Sequence, residues 1–424
     1  ILIQTLSCGQ FGDSIQLITP LGKYRKLDVR TETFSEQALF PRRRIHVDGK
    51  SADTPLKATP VKKFRNDEDL AEETRDVAEL YKPVSGSDLR QERRGSSDAI
   101  VKHFQNGVNK TNEDEIRFVF VEFTETRSLD RVEVEFLVDL MDTFADVLTV
   151  PLHAKLASSI DRDAGVTDTA YQELKSSVDL FIEIAKERAP EKPLMGSIPV
   201  LGWEFTDDLM EVYERNGIHA YCLDFHLNGR RAKVTAGRQL GMIQPMMRNI
   251  ARRGIEDQVL LYGINMHPGS MDDAIGARSA DDMASFGMGF DIVGGRHVSP
   301  DYPAHVFEGD DEVTIRLFNK ESYTYEDILV AEVPEHLPDD SSFDPEYVVD
   351  RTANSEADRN RLKKLINAEL MSQAARELQS EISTGTAFDS VTAKPGISPD
   401  TQQAYQRVRA GFDDARSQTG LSDF

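Results

Sequence analysis

Apolar residues fall along this chain in two alternating rhythms: short dense runs of strand length, and longer stretches where they recur every three or four positions. The first dense run is Ile116–Thr124, followed by helix-spaced Val132, Phe136, Leu140 and Phe144. Val147–His153 is a second strand, and Tyr171, Leu174, Val178, Phe181 and Ile184 mark one stripe of a helix from Asp168 to Arg188. The alternation continues with Leu194–Leu201 as strand, Thr206–Asn216 as helix, Gly217–Phe225 as strand, and Ala236–Arg253 as helix despite Gly241 and Pro245. Gln258–Met266 is a fifth strand, Met271–Phe286 reads as mostly helical, and Gly289–Val293 ends the series.

Nearly continuous apolar strands alternating with helices require a parallel sheet covered on both faces. The expected fold class is therefore α/β. A (β/α)8 TIM-like barrel with an extended N-terminal region and a helical C-terminal tail is favoured, and an open doubly wound parallel sheet is the alternative. Polar residues stand at the C-terminal end of almost every strand, as a ring of loops around one mouth requires. No GxGxxG or GxxxxGK[ST] turn of the kind an open nucleotide-binding sheet often carries is present. The two strands needed for closure are expected from the N-terminal region or from Glu312–Phe318.

The flanks divide the chain into residues 1–110 (N-terminal hairpin and polar arm), 111–335 (barrel) and 336–424 (acidic linker and helical tail). Ile1–Leu6 and Ile15–Ile18, with Gly9, Gly12 and Pro20 between or after them, read as a strand or hairpin. The spacing of Leu70, Val77, Leu80 and Tyr81 predicts a helix over Asp67–Tyr81. The charged segments Arg42–Arg44 and Arg90–Arg94 read as solvated surface. Beyond the barrel, Ser355–Ile382 is an amphipathic helix with Leu362, Leu365, Ile366 and Leu370 on one face, and Gln402–Ser417 is another. This tail either packs back on the barrel or mediates oligomer or protein contacts.

Composition narrows the classes. Two cysteines in 424 residues exclude a disulfide scaffold and a multi-cysteine zinc or iron–sulfur site held by this chain alone. No apolar run approaches the roughly 18 residues of a membrane span. The charge, −23, comes from 41 Asp and 32 Glu against 32 Arg and only 18 Lys. An acidic excess ordinarily argues against a nucleic-acid partner. The Asp-rich, Lys-poor split is expected to reflect adaptation to a salt-saturated cytoplasm, where the Debye length falls to about 3 Å, with an ordinary acidic protein as the alternative. Net charge then leaves the partner open. The chain starts at Ile1 without Met and shows no recognisable signal peptide, so the expected compartment is the cytoplasm of a halophilic host, with a virion-associated protein as the alternative.

The strand ends carry the candidate chemistry. In order these are Glu122, His153, Asp224 with His226, Asn265 with His267, and Gly294-Gly295-Arg296-His297. A barrel brings all of them to one face. Asp224 ends an apolar strand, where burial raises a carboxyl and a neighbouring Arg230 or Arg231 lowers it; it suits nucleophilic attack or stabilisation of a cationic centre. The two glycines let backbone approach an anion, and Arg296 offers a fork for phosphate. Asn265 suits a base or amide edge. Arg238, Arg248, Arg252 and Arg253 form the best basic patch within the barrel. Cys8 and Cys222 read as buried small residues.

Gly217-Ile-His-Ala-Tyr-Cys-Leu-Asp224, with Arg230 and Arg231 downstream, resembles the tRNA-guanine transglycosylase family and its relatives that insert deazaguanine bases into DNA. The resemblance covers about half the chain and implies a barrel in which Asp224 attacks an anomeric carbon and a second acid, here Glu122, handles the proton of the leaving base. The family's cysteine-rich zinc motif and its Asp-Ser-Gly-Gly-Phe stretch are both missing. The expected function is a barrel enzyme acting on a ribosyl or phosphate-bearing substrate, extending to base exchange in nucleic acid; His153, Asn265, His267, Gly294, Gly295, Arg296, His297 and Arg230 would bind that substrate or its phosphate. A metal-dependent barrel hydrolase, with a single divalent metal on His153, Asp224, His226 and His267, is one alternative. A non-enzymatic assembly protein of a virus or mobile element is the other.

Overall fold

The computed structural model describes residues 25–65, 68–226, 240–272, 275–297 and 313–419. Fifteen strands are described, numbered in chain order. β1 (Asp28–Phe34), β2 (Pro41–Val47) and β3 (Lys50–Asp53) form an antiparallel sheet of their own. The barrel staves are β4 (Leu56–Lys57), β5 (Val77–Val84), β6 (Ile116–Phe123), β7 (Val147–Thr149), β8 (Leu194–Pro199), β9 (Ala220–Asp224) and β10 (Leu260–Ile264). After β11 (Met271–Asp272) and β12 (Ala277–Ser279), β13 (Ile292–Val293) is the eighth stave. β14 (Thr314–Asn319) and β15 (Thr324–Leu329) pair with β12 and β11 in a small separate sheet.

The eight staves lie in the order β4-β13-β10-β9-β8-β7-β6-β5, with parallel pairing between every neighbouring pair. A parallel bridge between Thr59 and Ala78 joins the two edges: Thr59 N–H donates to Val77 O at 2.8 Å and Glu79 N–H to Thr59 O at 2.9 Å. The barrel, rather than the open sheet, is thus the architecture. Both closing strands come from the N-terminal side, so the barrel begins at Leu56, inside the segment read as a polar arm, while Glu312–Phe318 contributes instead to the small sheet.

Side chains alternate cleanly through the barrel wall. On β6, Ile116, Phe118 and Phe120 pack inside with Tyr262, Cys222 and Met195, whereas Val119, Val121 and Phe123 face the surrounding helices. Ile45, Val47 and Ala52 of the antiparallel sheet join the inner cluster, so the N-terminal sheet stoppers the end of the barrel opposite the strand C-termini. Each large inner side chain withdrawn from water contributes about 1.5–3 kcal/mol.

Three expectations are corrected. The segment expected as a helix over Asp67–Tyr81 contains instead a short turn at Glu72–Thr74 and the start of β5. Strand wins because both faces of Val77–Val84 are covered, and Pro83 has no N–H for a helical bond. Met271–Phe286 is helical only from Asp281; its first half is β11 and β12. Arg43, expected on solvated surface, is 1 % exposed and forks onto Asp291 at 2.6 and 2.7 Å.

The expected tail helices are present, at Glu356–Thr384 and Pro399–Thr419, and they pack back on the barrel. Tyr405 is buried, donates its hydroxyl to Ala284 O at 2.7 Å and sets its ring edge-on to Phe40 at 5.5 Å. No helix among the described residues is long and apolar enough to cross a membrane. The expected hairpin at the very start of the chain, with Cys8, lies outside the described residues.

Candidate active site

The same alternation that fills the lower barrel with Phe and Tyr places polar groups inside it near the C-terminal mouth. Continuing inward from Val77 on β5 gives Glu79 and Tyr81; from Phe120 on β6 it gives Glu122; from Cys222 on β9 it gives Asp224 and then His226. Loops after β10 and β13 add Asn265 and His297. These side chains form one connected network.

At its centre Asp224, 1 % exposed, accepts from Asn265 Nδ2 at 2.9 Å and from His226 N–H at 3.0 Å, both on Oδ1. Its other oxygen, Oδ2, is buried and has no hydrogen-bond partner among the described residues. Burial raises the Asp224 carboxyl to about 6 against the pull of Asn265, the charge of Glu122 adds to the rise, and the His226 N–H opposes it. Asn265 holds its pose from a left-handed backbone (φ 61°), a conformation Asn tolerates better than most residues. Its Oδ1 accepts from His297 N–H at 2.8 Å.

Glu122 is the electrostatic opposite of Asp224. Burial pushes its pKa up, but His226, with Nδ1 3.4 Å from Oε1, and the donating hydroxyl of Tyr81 outweigh burial and hold it below the usual carboxylate range. Two neighbouring carboxyls with pKa values driven apart are the arrangement that acid–base and nucleophilic sites use.

The third carboxylate, Glu79, was not singled out in the sequence. It is 1 % exposed and accepts from Gly295 N–H at 2.9 and 3.0 Å, from Tyr262 OH, and from His297 Nε2 at 2.6 Å. Burial acts against its charge, yet the His297 charge and hydrogen bond, with Lys57 and Tyr262, bring it down to about 2. The His297 ring lies flat on Tyr81, centroids 3.8 Å apart and planes 12° from parallel. Thus His297 links Glu79, Asn265 and Tyr81, and through them both other acids. The anion seated on the Gly294-Gly295 loop is the chain's own Glu79 carboxylate. Gly294 is required by close approach: a Cβ there would meet Glu79 Oε2 and lie 2.5 Å from Tyr262 Cε1.

The remaining candidates are more dispersed. His153 is 2 % exposed, edge-on to Phe123 at 5.8 Å, and neither ring nitrogen has a hydrogen-bond partner among the described residues. Burial lowers it to about 4, although the Glu122 charge works the other way, so it is neutral at pH 7. His267 caps its own turn, its Nδ1 accepting from Gly269 N–H at 3.0 Å. Arg296 is exposed on the rim, and its carbonyl accepts from Lys364 Nζ at 3.0 Å. Arg230, Arg231 and Arg238 lie outside the described residues. Among the described residues, no group of three or more His, Cys, Asp or Glu is placed to hold a metal ion. Cys222 is buried inside the barrel, and burial raises its thiol well above its ordinary value.

Glu79 and Tyr81 escaped notice because β5 reads as a helix by spacing. Taken as a strand, Val77-Ala-Glu-Leu-Tyr shows Glu79 as a lone acid on the inward-facing rhythm, and that was the available signal. No family model and no curated protein matches the chain.

Proposed function

We propose that the chain is a barrel enzyme that transfers a glycosyl group at a ribosyl, phosphate-bearing substrate, with Asp224 as the nucleophile. The observation that supports this best is the asymmetry of Asp224: Oδ1 is fixed by two N–H donors while Oδ2 is buried and unpaired. A carboxylate so held has one oxygen free to bond carbon. A pKa of about 6 keeps it ionised at neutral pH, and burial makes neutralisation by ester formation favourable.

Oδ2 attacks the anomeric carbon as the bond to the leaving group breaks. Glu122, held ionised, faces the positive charge that grows at the sugar, and the His226 imidazole paired with it supplies the leaving group's proton. An incoming base or water then attacks the anomeric carbon, the bond to Asp224 Oδ2 breaks, and His226 takes the proton released by the attacking group, which restores both residues. Base exchange in nucleic acid is the form suggested by the likeness to tRNA-guanine transglycosylases. The lack of their zinc motif and second acidic stretch means that Glu122 and His226 serve in place of the latter. We place the enzyme in a salt-rich solvent on its Asp-rich, Lys-poor composition.

The test is a single-turnover reaction with a labelled oligonucleotide, read by intact-protein mass. A covalent adduct is expected with the native chain and none with Asp224→Asn. Turnover without an adduct, or undiminished activity in Asp224→Asn, would overturn the assignment.

A further inference from the structure

Six of the 18 lysines converge beside the mouth although they are scattered through the sequence. Lys62 and Lys63 lie on the turn after β4, Lys82 on β5, Lys110 just past the helix Ala99–Val108, and Lys363 and Lys364 on the tail helix Glu356–Thr384. The elements that carry them pack together: the turn Val61–Lys63 lies against β5, the helix Ala99–Val108 and the tail helix, and the lysines act on one another. Lys62 is lowered by burial and then by Lys110, Lys82 and Lys63; Lys364 is lowered to about 8 by burial and then by Lys63, Lys363 and Arg296. Arg296 also bears on Lys363 and on Arg278. A continuous basic strip therefore crosses four separate segments.

Among the described residues no carboxylate forms an ion pair with a lysine of the strip, although Glu79 acts on Lys364 and Asp327 on Lys363 from a distance. Lys62 donates to His103 O at 3.2 Å, Lys364 to Arg296 O at 3.0 Å, Lys363 to Asn360 Oδ1 at 3.1 Å and Lys110 to Phe64 O. All four acceptors are uncharged, and among the described residues none of the six lysines forms an ion pair. Two nearby acids are paired with arginines, Asp327 forked by Arg316 at 3.0 and 2.6 Å and Glu68 accepting from Arg361, while Asp88, held by Ser85 at 2.7 and 2.8 Å, keeps its charge and faces Lys82 without an ion pair. In a chain of net charge −23 this is a local inversion of sign. The strip also leads into the site: Arg296 directly precedes His297, and His103, whose carbonyl Lys62 contacts, bonds Tyr81 O through Nε2 at 3.0 Å.

We propose that this strip binds the phosphodiester backbone of an unpaired nucleic-acid strand and lays it along the rim of the barrel. Positive groups spread over four segments exceed what one phosphate engages, and lysine serves as a point-charge partner for each phosphate in turn. The strand is unpaired because Asp224 is 1 % exposed within the barrel, and a base stacked in a duplex cannot reach such a site without being extruded. That last step rests on the glycosyl-transfer reading; binding of the backbone does not.

The experiment measures binding of a fluorescent oligothymidylate of about 16 nucleotides to the full chain across a potassium chloride titration, with circular dichroism confirming the fold at each salt. Affinity should fall with salt by about 0.7 logarithmic units per tenfold for each phosphate engaged. In Lys63→Gln/Lys82→Gln, where neither side chain makes a hydrogen bond among the described residues, that slope should drop by about 1.4 with a loss of roughly tenfold or more in affinity. Lys363→Gln/Lys364→Gln should behave alike. Native affinity and slope in both double variants, or no binding at any salt where the chain is folded, would overturn the assignment. Equal affinity for a duplex of the same length would overturn its restriction to unpaired strands. A native chain that binds the strand with the expected slope yet forms no covalent adduct would refute the catalytic role of Asp224 and leave the strip standing.

Discussion

Replacing Asp224 by Asn should make the folded chain more stable, by an amount that depends on pH through the raised pKa of the buried carboxyl. The carboxyl titrates at about 6 in the folded chain against an ordinary 3.8, a difference worth about 3 kcal/mol at 1.36 kcal/mol per pK unit. Between pH 3.8 and 6 the unfolded chain has already released the proton that the folded chain still keeps. The folded state therefore loses stability as pH rises through that window, and the whole penalty is present above pH 6. Asn at this position can accept the same two N–H bonds on its oxygen and carries no charge. Its amide hydrogens take the place of the unpaired Oδ2, next to the ionised Glu122. Asp224→Asn should thus gain up to about 3 kcal/mol at pH 8, less near pH 5, and nothing below pH 3.8. Urea titrations at those pH values, read by the fluorescence of Trp203, the single tryptophan, measure this directly. A variant less stable than the native chain at pH 8, or a gain that stays flat down to pH 4, would refute a desolvated carboxylate at this position. The gain, with loss of the covalent adduct, would mark Asp224 as a group retained at the expense of stability.

Two further outcomes follow from the surrounding structure. Arg43→Met strands the Asp291 carboxylate, which also accepts from Leu261 N–H at 2.8 Å and Thr54 Oγ1 at 3.1 Å; it should cost about 3–5 kcal/mol in urea unfolding, and adding Asp291→Asn should return part of that. Gly294→Ala drives a methyl group into Glu79 and Tyr262; it should cost about 1–3 kcal/mol and slow adduct formation, and a variant native in both melting temperature and single-turnover rate would refute the close approach.

Six of the eight staves were legible because each is a dense apolar run bounded by polar loops, and both faces of a barrel stave are buried. The other two were not. β4 is two residues long and carries Lys57, buried with its ammonium donating to Val293 O at 3.1 Å and Gly294 O at 2.8 Å, so hydropathy hides it. β5 was lost to coincidence: Leu70 belongs to the preceding loop, but its distance from Val77, Leu80 and Tyr81 matches a helical period. That one error concealed two of the seven side chains of the inner network, because Glu79 and Tyr81 are recognisable only once alternate residues are known to face the same way. Asp224, Glu122, Asn265 and His297 were recoverable because each stands at the end of a stave that was read correctly.

The charge of the chain was legible as a total and misleading as a pattern. The best local basic patch in the sequence, Arg238 to Arg253, is partly outside the described residues, and within it Arg253 is paired with Glu214. The strip that stays unneutralised is built from lysines more than 300 positions apart, from Lys62 to Lys364. No window along the sequence contains it, since barrel closure puts the loop after β4 beside β5 and the loop after β13, and the tail helix then packs across the same edge. Arginines in this chain mostly meet carboxylates, as Arg43, Arg117 and Arg127 do, which suits their planar forks. Among the described residues the strip's lysines donate to carbonyls and one amide and form no ion pair. A lysine-poor chain gathers a third of its lysines here without an ion pair among the described residues, and the proposed nucleic-acid strand would bring the negative charge they lack to the rim beside Asp224.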